Sequence, residues 1–306
     1  KAELSREAKT SEKVAHTPGA AVKENEVAAS CYAEGSYDEV VYCSVEGCKA
    51  ELSREAERLG KTLDIHIKLD TGMHRLGFMK QELPELIEYL KNKPRVKVQS
   101  IFSHLAASDD PQHDEFTHSQ YNMYKNHASM IDAVLDYKPI HHILNSAGIE
   151  RFSQYQMDMA RLGIGIYGIS AVDMNNVKPA ASLTCKILQI KELTPEDGTV
   201  GYGRHGKLEH PKKIATLPLG YADGLNRHYS RGNAKFCVNG QLVPTIGNIC
   251  MDMCMIDITG VDAKVGDKVT IFGDKPTAND MAKLLDTIPY EIFTSVARRV
   301  KRVVFE

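Results

Sequence analysis

The chain has 306 residues, enough for one large or two ordinary domains, with 42% hydrophobic and 25% charged residues, as in soluble globular proteins. A net charge of −2 gives no electrostatic case for nucleic acid or an anionic membrane surface. No apolar run approaches the roughly 18 residues of a membrane helix, and the polar start of the chain leads us to expect no signal peptide. The 7 cysteines, odd in number and irregular in spacing, predict reduced thiols in a cytosolic protein. Cys250 and Cys254 flank Met-Asp-Met. Two ligands make a poor zinc site, so these read as packed thiols and no metal is expected.

Residues 1–58 give the least regular signal. The octamer KAELSREA stands at 1–8 and again at 49–56. A single duplication is not a solenoid, and sequence offers no physical account of it. From 59 to about 172 the pattern is regular. Apolar alternation predicts a strand at 63–69, leading to a helix near 81–91 with Leu83, Leu86, Ile87 and Leu90 on one face. A strand near 96–104 ends in Ser103-His104. Phe116, Gln120, Met123, Tyr124, His127, Ile131 and Leu135 then recur at helical spacing. A strand near 140–144 ends in Asn145-Ser146, and another near 160–168 contains Arg161, Gly163 and Gly165. Strands alternating with helices predict a parallel sheet, and polar residues after each strand are where a (β/α)8 barrel keeps its chemistry.

Beyond 180 the reading changes. Short alternating segments at 183–190, 214–219, 235–238, 253–258 and 268–272 are split by turns such as Asn239-Gly240, which predicts a β-rich domain. We therefore place a (β/α)-barrel domain at 1–176 and a β-rich domain at 177–306. A typical barrel needs about 250 residues and eight units. Only 58 residues precede the first clear unit, so the N-terminal half of the barrel reads as poorly matched or incomplete.

Several motifs carry chemistry, and they stand in a fixed order. They are Lys-Leu-Asp-Thr-Gly-Met-His-Arg-Leu-Gly (68–77), Ser-His-Leu-Ala-Ala-Ser-Asp (103–109), Asn-Ser-Ala-Gly (145–148) and Arg-Leu-Gly-Ile-Gly-Ile-Tyr-Gly (161–168). Val-Gly-Tyr-Gly-Arg (200–204), Gly-Tyr-Ala-Asp-Gly (220–224) and Ile-Cys-Met-Asp-Met (249–253) follow. Read alone, an arginine in an apolar strand must be paired, and glycine-bearing turns after barrel strands bind phosphate or merely turn. Together, from about residue 63 to the C-terminus, the set resembles the pyridoxal 5'-phosphate (PLP) dependent alanine racemases.

The resemblance implies a (β/α)8 barrel followed by a β-rich domain. It implies interconversion of L- and D-alanine for peptidoglycan in a bacterial cytoplasm, and a homodimer with shared active sites. It implies that Asn145, Ser146, Gly163 and Ile164 lie at the PLP phosphate, that Arg161 faces the pyridine nitrogen, and that His104 borders the cofactor. A permanently charged arginine keeps that nitrogen unprotonated and favours simple proton exchange over side reactions. Arg75 would bond the cofactor's phenolic oxygen on the substrate side. Lys68 would be the lysine that is carbamylated in many members; the alternative is an exposed, unmodified side chain. Met251 and Asp252 would take the substrate carboxylate through backbone N–H groups. Tyr202 would be one of two bases. A phenol ordinarily titrates near pH ~10, so a tyrosine base needs a cation or hydrogen bond to lower it.

Two positions depart from the family pattern. The Schiff-base lysine should lie early, in a Val-Lys-Ala-x-Ala-Tyr-Gly type motif. Ala21-Val22-Lys23-Glu24-Asn25 keeps the lysine and asparagine without the tyrosine, whereas the stretch from Val27 to Tyr37 keeps the later residues with Ala28 at the lysine position. Lys23 is thus the candidate second base on a partial match. The family's C-terminal phosphate-binding tyrosine is replaced by Arg298, which could clamp phosphate bidentately. Three readings stay open: a racemase with an incomplete or misread N-terminal barrel, a non-catalytic PLP-binding relative, and a module kept for its dimer interface.

Overall fold

The computed structural model describes residues 56–92 and 95–304, together with the strands β1 (Glu3–Ser5), β2 (Ala29–Glu34) and β3 (Tyr42–Cys43). The octamer at 1–8 and Lys23 lie outside the fully described residues. The chain divides into two compact units. Among the described residues, one runs to Gly163 and includes 170–173; the other takes 164–169, 174–304 and β1.

In the first unit β4 (Leu63–Lys68), β5 (Val96–Phe102) and β6 (Ile140–His142) pair in parallel, in a sheet of order β3-β2-β4-β5-β6. The expectation of a parallel sheet holds for β4, β5 and β6 and needs correction at β2. That strand runs antiparallel to both β3 and β4. Helix α1 (Leu83–Asn92) buries Leu83, Leu86 and Tyr89, with Pro84 in its first turn, where a missing N–H costs nothing. Helix α2 (Asp114–Asp132) follows a short 3-10 turn capped by Asp110, whose carboxylate accepts from Gln112 N–H at 2.9 Å. Its buried stripe is Thr117, Gln120, Tyr124, His127, Ala128 and Ile131. Phe116 and Met123, read as part of that stripe, are 42% and 39% exposed. The buried face is more polar than the sequence suggested because Thr117 is buried while these two are not, and Gln120 is held there by backbone partners. The core joins Ile65, Ile67, Val98 and Ile101 of the sheet to Leu83, Tyr124 and Ile131 of the helices. Each such aliphatic side chain contributes roughly 1.5–3 kcal/mol.

The strand expected at 160–168 does not form. Two strand-like bonds exist, Met159 N–H to His141 O at 3.3 Å and Arg161 N–H to Leu144 O at 2.9 Å. Gly163 N–H then turns to the Ser146 hydroxyl at 2.8 Å, and Ile164–Tyr167 winds into a 3-10 turn. A side-chain acceptor has competed successfully with the ladder, so Arg161 sits in an irregular segment beside β6.

The second unit is β-rich. It contains β7 (Leu183–Lys186), β8 (Gln189–Leu193), β9 (Thr199–Val200), β10 (Gly206–Lys207), β11 (Lys212–Leu217) and β12 (Lys235–Val238). It continues with β13 (Gln241–Pro244), β14 (Cys254–Asp257), β15 (Lys268–Phe272) and β16 (Lys301–Val303). The segment read as one strand at 183–190 is two, because β7 joins the sheet β13-β12-β15-β7-β1-β16 while β8 joins β14-β11-β8. Asn239 and Gly240, at φ 47° and 82°, make the predicted two-residue hairpin between β12 and β13. Two short helices, α4 (Ala278–Leu284) and α5 (Pro289–Ser295), belong to this unit; α3 (Ser146–Arg151) belongs to the first and follows β6 in sequence. Cys185 and Cys254 are buried and Cys250 is half-buried. No helix among the described residues is long and apolar enough to cross a membrane.

Candidate active site

In the first unit the site begins where β4 ends. Phe78 N–H bonds Lys68 O at 2.8 Å and Asp70 N–H bonds Phe78 O at 2.9 Å, which closes residues 70–77 into a loop. The Asp70 carboxylate accepts from Gly72 N–H and His74 N–H, each at 3.0 Å. Burial opposes its charge, but those two backbone bonds and the His74 side chain together outweigh it and hold the carboxyl below its usual range. The loop needs glycine at 77, where φ is 123° and a Cβ would lie 2.8 Å from Asp70 N. Ser103 donates to Leu69 O at 2.7 Å, so the Thr71 hydroxyl, also 2.7 Å away, must donate to Ser103.

This loop carries Arg75, which is exposed, next to Lys68, which is only 6% exposed. Burial and the nearby Arg75 push the Lys68 amine down, against a smaller upward pull from Asp70. Its burial excludes the exposed alternative. Arg161 reaches the same region. One guanidinium nitrogen donates to His142 Nδ1; the other donates to Ser103 O at 2.5 Å and Ile143 O at 3.2 Å, and lies 3.4 Å from His104 Nδ1. All of these acceptors are neutral, and among the described residues no carboxylate pairs with it. Burial lowers Arg161 to about 10. His104 is driven to about 4 by burial, then by Arg161, Arg75 and Lys68, so at neutral pH it adds no charge.

At the far end of β6, Asn145 Oδ1 accepts from Gly148 N–H at 2.9 Å and Ser108 Oγ at 2.8 Å, which caps α3 and locks the turn. Ser146 Oγ and Gly163 N–H meet at 2.8 Å. Ile164 is counted with the second unit and opens its 3-10 turn. Sequence reasoning missed Gln120. Its side chain accepts from Ala106 N–H at 2.9 Å and donates to His104 O at 3.2 Å, which fixes the loop that carries His104. A glutamine on an otherwise buried helical stripe was the available signal.

In the second unit Tyr202 stands between Gly201 and Gly203, at φ 77° and 70°, and is 73% exposed. Its carbonyl accepts from Asn248 Nδ2 at 2.9 Å, and Asn248 Oδ1 accepts from Arg231 Nε at 2.8 Å. Neither Asn248 nor Arg231 was expected. Met251 and Asp252 lie on a turn closed by Cys250 N–H to Met253 O at 2.8 Å. The Gly-Tyr-Ala-Asp-Gly turn grips it: Tyr221 N–H bonds Cys250 O and Ala222 N–H bonds Met251 O, both at 3.0 Å. Arg299 donates to Asp223 at 2.8 Å and to Asp252 at 2.5 Å. Arg298, the residue singled out in sequence, is exposed, and its neighbour Arg299 makes these contacts.

Models of two domains match this chain: the alanine racemase N-terminal domain over residues 20–171 and the alanine racemase C-terminal domain over 180–304. The chain belongs to the alanine racemase family. It is 40% identical over 263 residues to alanine racemase 2 of Caldanaerobacter subterraneus subsp. tengcongensis, covering 83% of this chain and 67% of that one. The solved alanine racemase of Clostridium difficile 630 is 35% identical, with a TM-score of 0.78 over 86% of this chain and 70% of its own. That of Bartonella henselae, solved with covalently bound pyridoxal phosphate, is 28% identical with a TM-score of 0.75, over 86% and 72%. Alanine racemases pair a TIM-type barrel with a β-rich C-terminal domain, and this chain carries both domains. Its activity is PLP-dependent racemisation of alanine, and its cofactor is PLP.

The donor set fits that cofactor. Arg75 and Arg161 both act electrostatically on Lys68, His104 is neutral, and the acid among them, Asp70, is committed to its own loop. Such a cation-rich, acid-poor cluster suits a ligand carrying phosphate and a phenolate.

Proposed function

We propose that this chain interconverts L- and D-alanine by a two-base mechanism in a bacterial cytoplasm, supplying D-alanine for peptidoglycan, as a homodimer with shared active sites. In this reading residues 1–176 contribute to a (β/α)8 barrel and 177–306 form the β-rich domain. When bound, PLP supplies an electron sink for the charge left at the substrate α-carbon.

The protein's own groups do the rest. Ser146 Oγ and Gly163 N–H, beside Asn145, would hold the phosphate; the family resemblance assigns Ile164 and Arg298 to it as well. Arg161 would face the ring nitrogen as a cation that donates and never accepts, which would leave that nitrogen unprotonated. His104, neutral through the working range, adds a boundary without competing for charge. Arg75 bonds the phenolic oxygen, and a carbamylated Lys68 would present an anion that orients it. The Met251 and Asp252 backbone takes the substrate carboxylate. Tyr202 Oη moves the α-proton on one face, and a lysine, for which Lys23 is the candidate, moves it on the other. The exposure of Tyr202 in the single chain supports the shared-site dimer, because a partner's barrel would cover it.

The observation that carries this reading is Arg161, a half-buried guanidinium whose partners are all neutral. Borohydride reduction of the PLP-loaded protein followed by peptide mass analysis tests it. A pyridoxyl adduct on one lysine names the second base. No adduct would refute the two-base mechanism and favour the non-catalytic PLP-binding relative, which the incomplete lysine motif would then explain.

A further inference from the structure

Four side chains on neighbouring segments of the first unit form one hydrogen-bonded line. His66 Nδ1 lies 2.7 Å from Ser100 Oγ, Ser100 Oγ lies 3.2 Å from His142 Nε2, and His142 Nδ1 meets Arg161 Nη1. Strand register builds it. His66 of β4 sits opposite Ser100 of β5, and Ser100 sits opposite Ile140, two residues before His142 on β6.

The protons in this line can be assigned from one end. A guanidinium only donates, so His142 Nδ1 must be bare. A neutral imidazole then carries its proton on Nε2 and gives it to Ser100 Oγ. Ser100 is 1% exposed, and its single proton has His66 Nδ1 as acceptor. His66 is therefore protonated at Nε2. Burial, then Arg161, holds His142 at about 3, so it stays neutral. Phe102 fixes the plane of the ring: it stacks on His142 with centroids 4.9 Å apart and planes 9° apart, and lies 5.2 Å beneath the Arg161 guanidinium. Stacking sets the orientation of His142, but a stacked ring can carry its proton on either nitrogen. Arg161, which can only donate to Nδ1, puts the proton on Nε2, and Ser100 is the buried group that receives it.

We infer that Ser100 and His66 are positioning residues for the racemisation: Ser100 accepts the Nε2 proton of His142 and His66 takes the proton of Ser100, and together they stabilise the tautomer whose bare Nδ1 holds Arg161 in place. The opposite tautomer would set an N–H against the guanidinium N–H, and Arg161 would have to withdraw. The inference rests on the reading of Arg161 as the partner of the cofactor's ring nitrogen.

The test uses the full chain labelled with 15N-histidine, with ring-nitrogen spectra recorded alongside steady-state racemisation and the absorbance of the bound cofactor. The native chain should show His142 as one Nε2–H tautomer. Ser100→Ala should give mixed tautomers at His142 and a kcat lower by about tenfold at unchanged KM, the scale of one lost buried hydrogen bond. His66→Leu should do the same to a smaller degree. His66→Asn, whose amide oxygen can stand where Nδ1 stood, should restore the native spectrum. A single Nε2–H tautomer in both Ser100→Ala and His66→Leu would overturn the inference. Mixed tautomers with unaltered kcat and cofactor absorbance would uphold the tautomer lock and refute instead the placing of Arg161 against the cofactor ring.

Discussion

Gly220→Ala should be among the most damaging single-methyl changes in the second unit. A Cβ there would lie 2.3 Å from both Cys250 O and Met251 O. Gly220 has φ −142°, which any residue adopts, so the cost is purely steric. Restoring an ordinary carbon–oxygen contact of about 3.4 Å moves the 250–252 turn by roughly 1 Å. The bonds Tyr221 N–H to Cys250 O and Ala222 N–H to Met251 O, both 3.0 Å, would then stretch past bonding range. Two lost bonds cost about 2 kcal/mol and the overpacking about 1–3 kcal/mol, so the expected loss is about 3–5 kcal/mol. Gly240→Ala is the comparator, since its Cβ meets nothing within 4 Å and only its φ of 82° is strained. It should cost about 1–2 kcal/mol. Urea unfolding of the full chain measures both, and the KM for alanine should rise in Gly220→Ala alone because the Met251-Asp252 turn has moved. A loss below about 1 kcal/mol at Gly220, or one no greater than at Gly240, would refute the steric argument.

Three further outcomes are expected. Tyr202→Phe should abolish α-proton exchange in one direction while PLP remains bound; equal deuterium incorporation from both enantiomers would remove Tyr202 from its role. Burial, then Arg161, keeps His104 near 4 and His142 near 3, whereas an unfolded chain protonates both near 6.5. Their contribution is complete above 6.5 and is lost as pH falls through 4 and 3, so the urea midpoint should drop as pH falls from 6.5 to 4. His104→Gln should flatten that slope, and an identical slope in the variant would contradict the assignment. Finally, the buried amine of Lys68, pushed down by burial and Arg75, is the form that adds carbon dioxide to give a carbamate and a proton. Carbon-13 bicarbonate should therefore yield a carbamate carbonyl resonance in the full chain that disappears in Lys68→Arg. A spectrum without it in the native chain would mean that Lys68 stays an amine.

Most strand positions and the family could be read in sequence, because apolar alternation and ordered glycine-bearing motifs are local. Leu63, Ile65 and Ile67 alternate and are buried as the period requires, and Asn239-Gly240 makes its hairpin because those two residues tolerate positive φ. The segment around Arg161 was misread for an equally physical reason. Its apolar composition suits a strand, but the Ser146 hydroxyl, distant in sequence, captures the Gly163 N–H and ends the ladder.

What sequence determined by itself was the family and with it the kind of chemistry, because its ordered motifs are each contiguous runs of residues and resemble those of alanine racemases. What the tertiary structure decided was the company those residues keep. Arg161 meets three neutral carbonyl and imidazole acceptors. Arg299 rather than Arg298 holds Asp252. Asn248 fixes Tyr202, and Ser100 stands between two histidines. Each of these pairings joins residues at least sixteen positions apart. Charge, tautomer and orientation depend on distances of a few ångströms that only the folded chain sets.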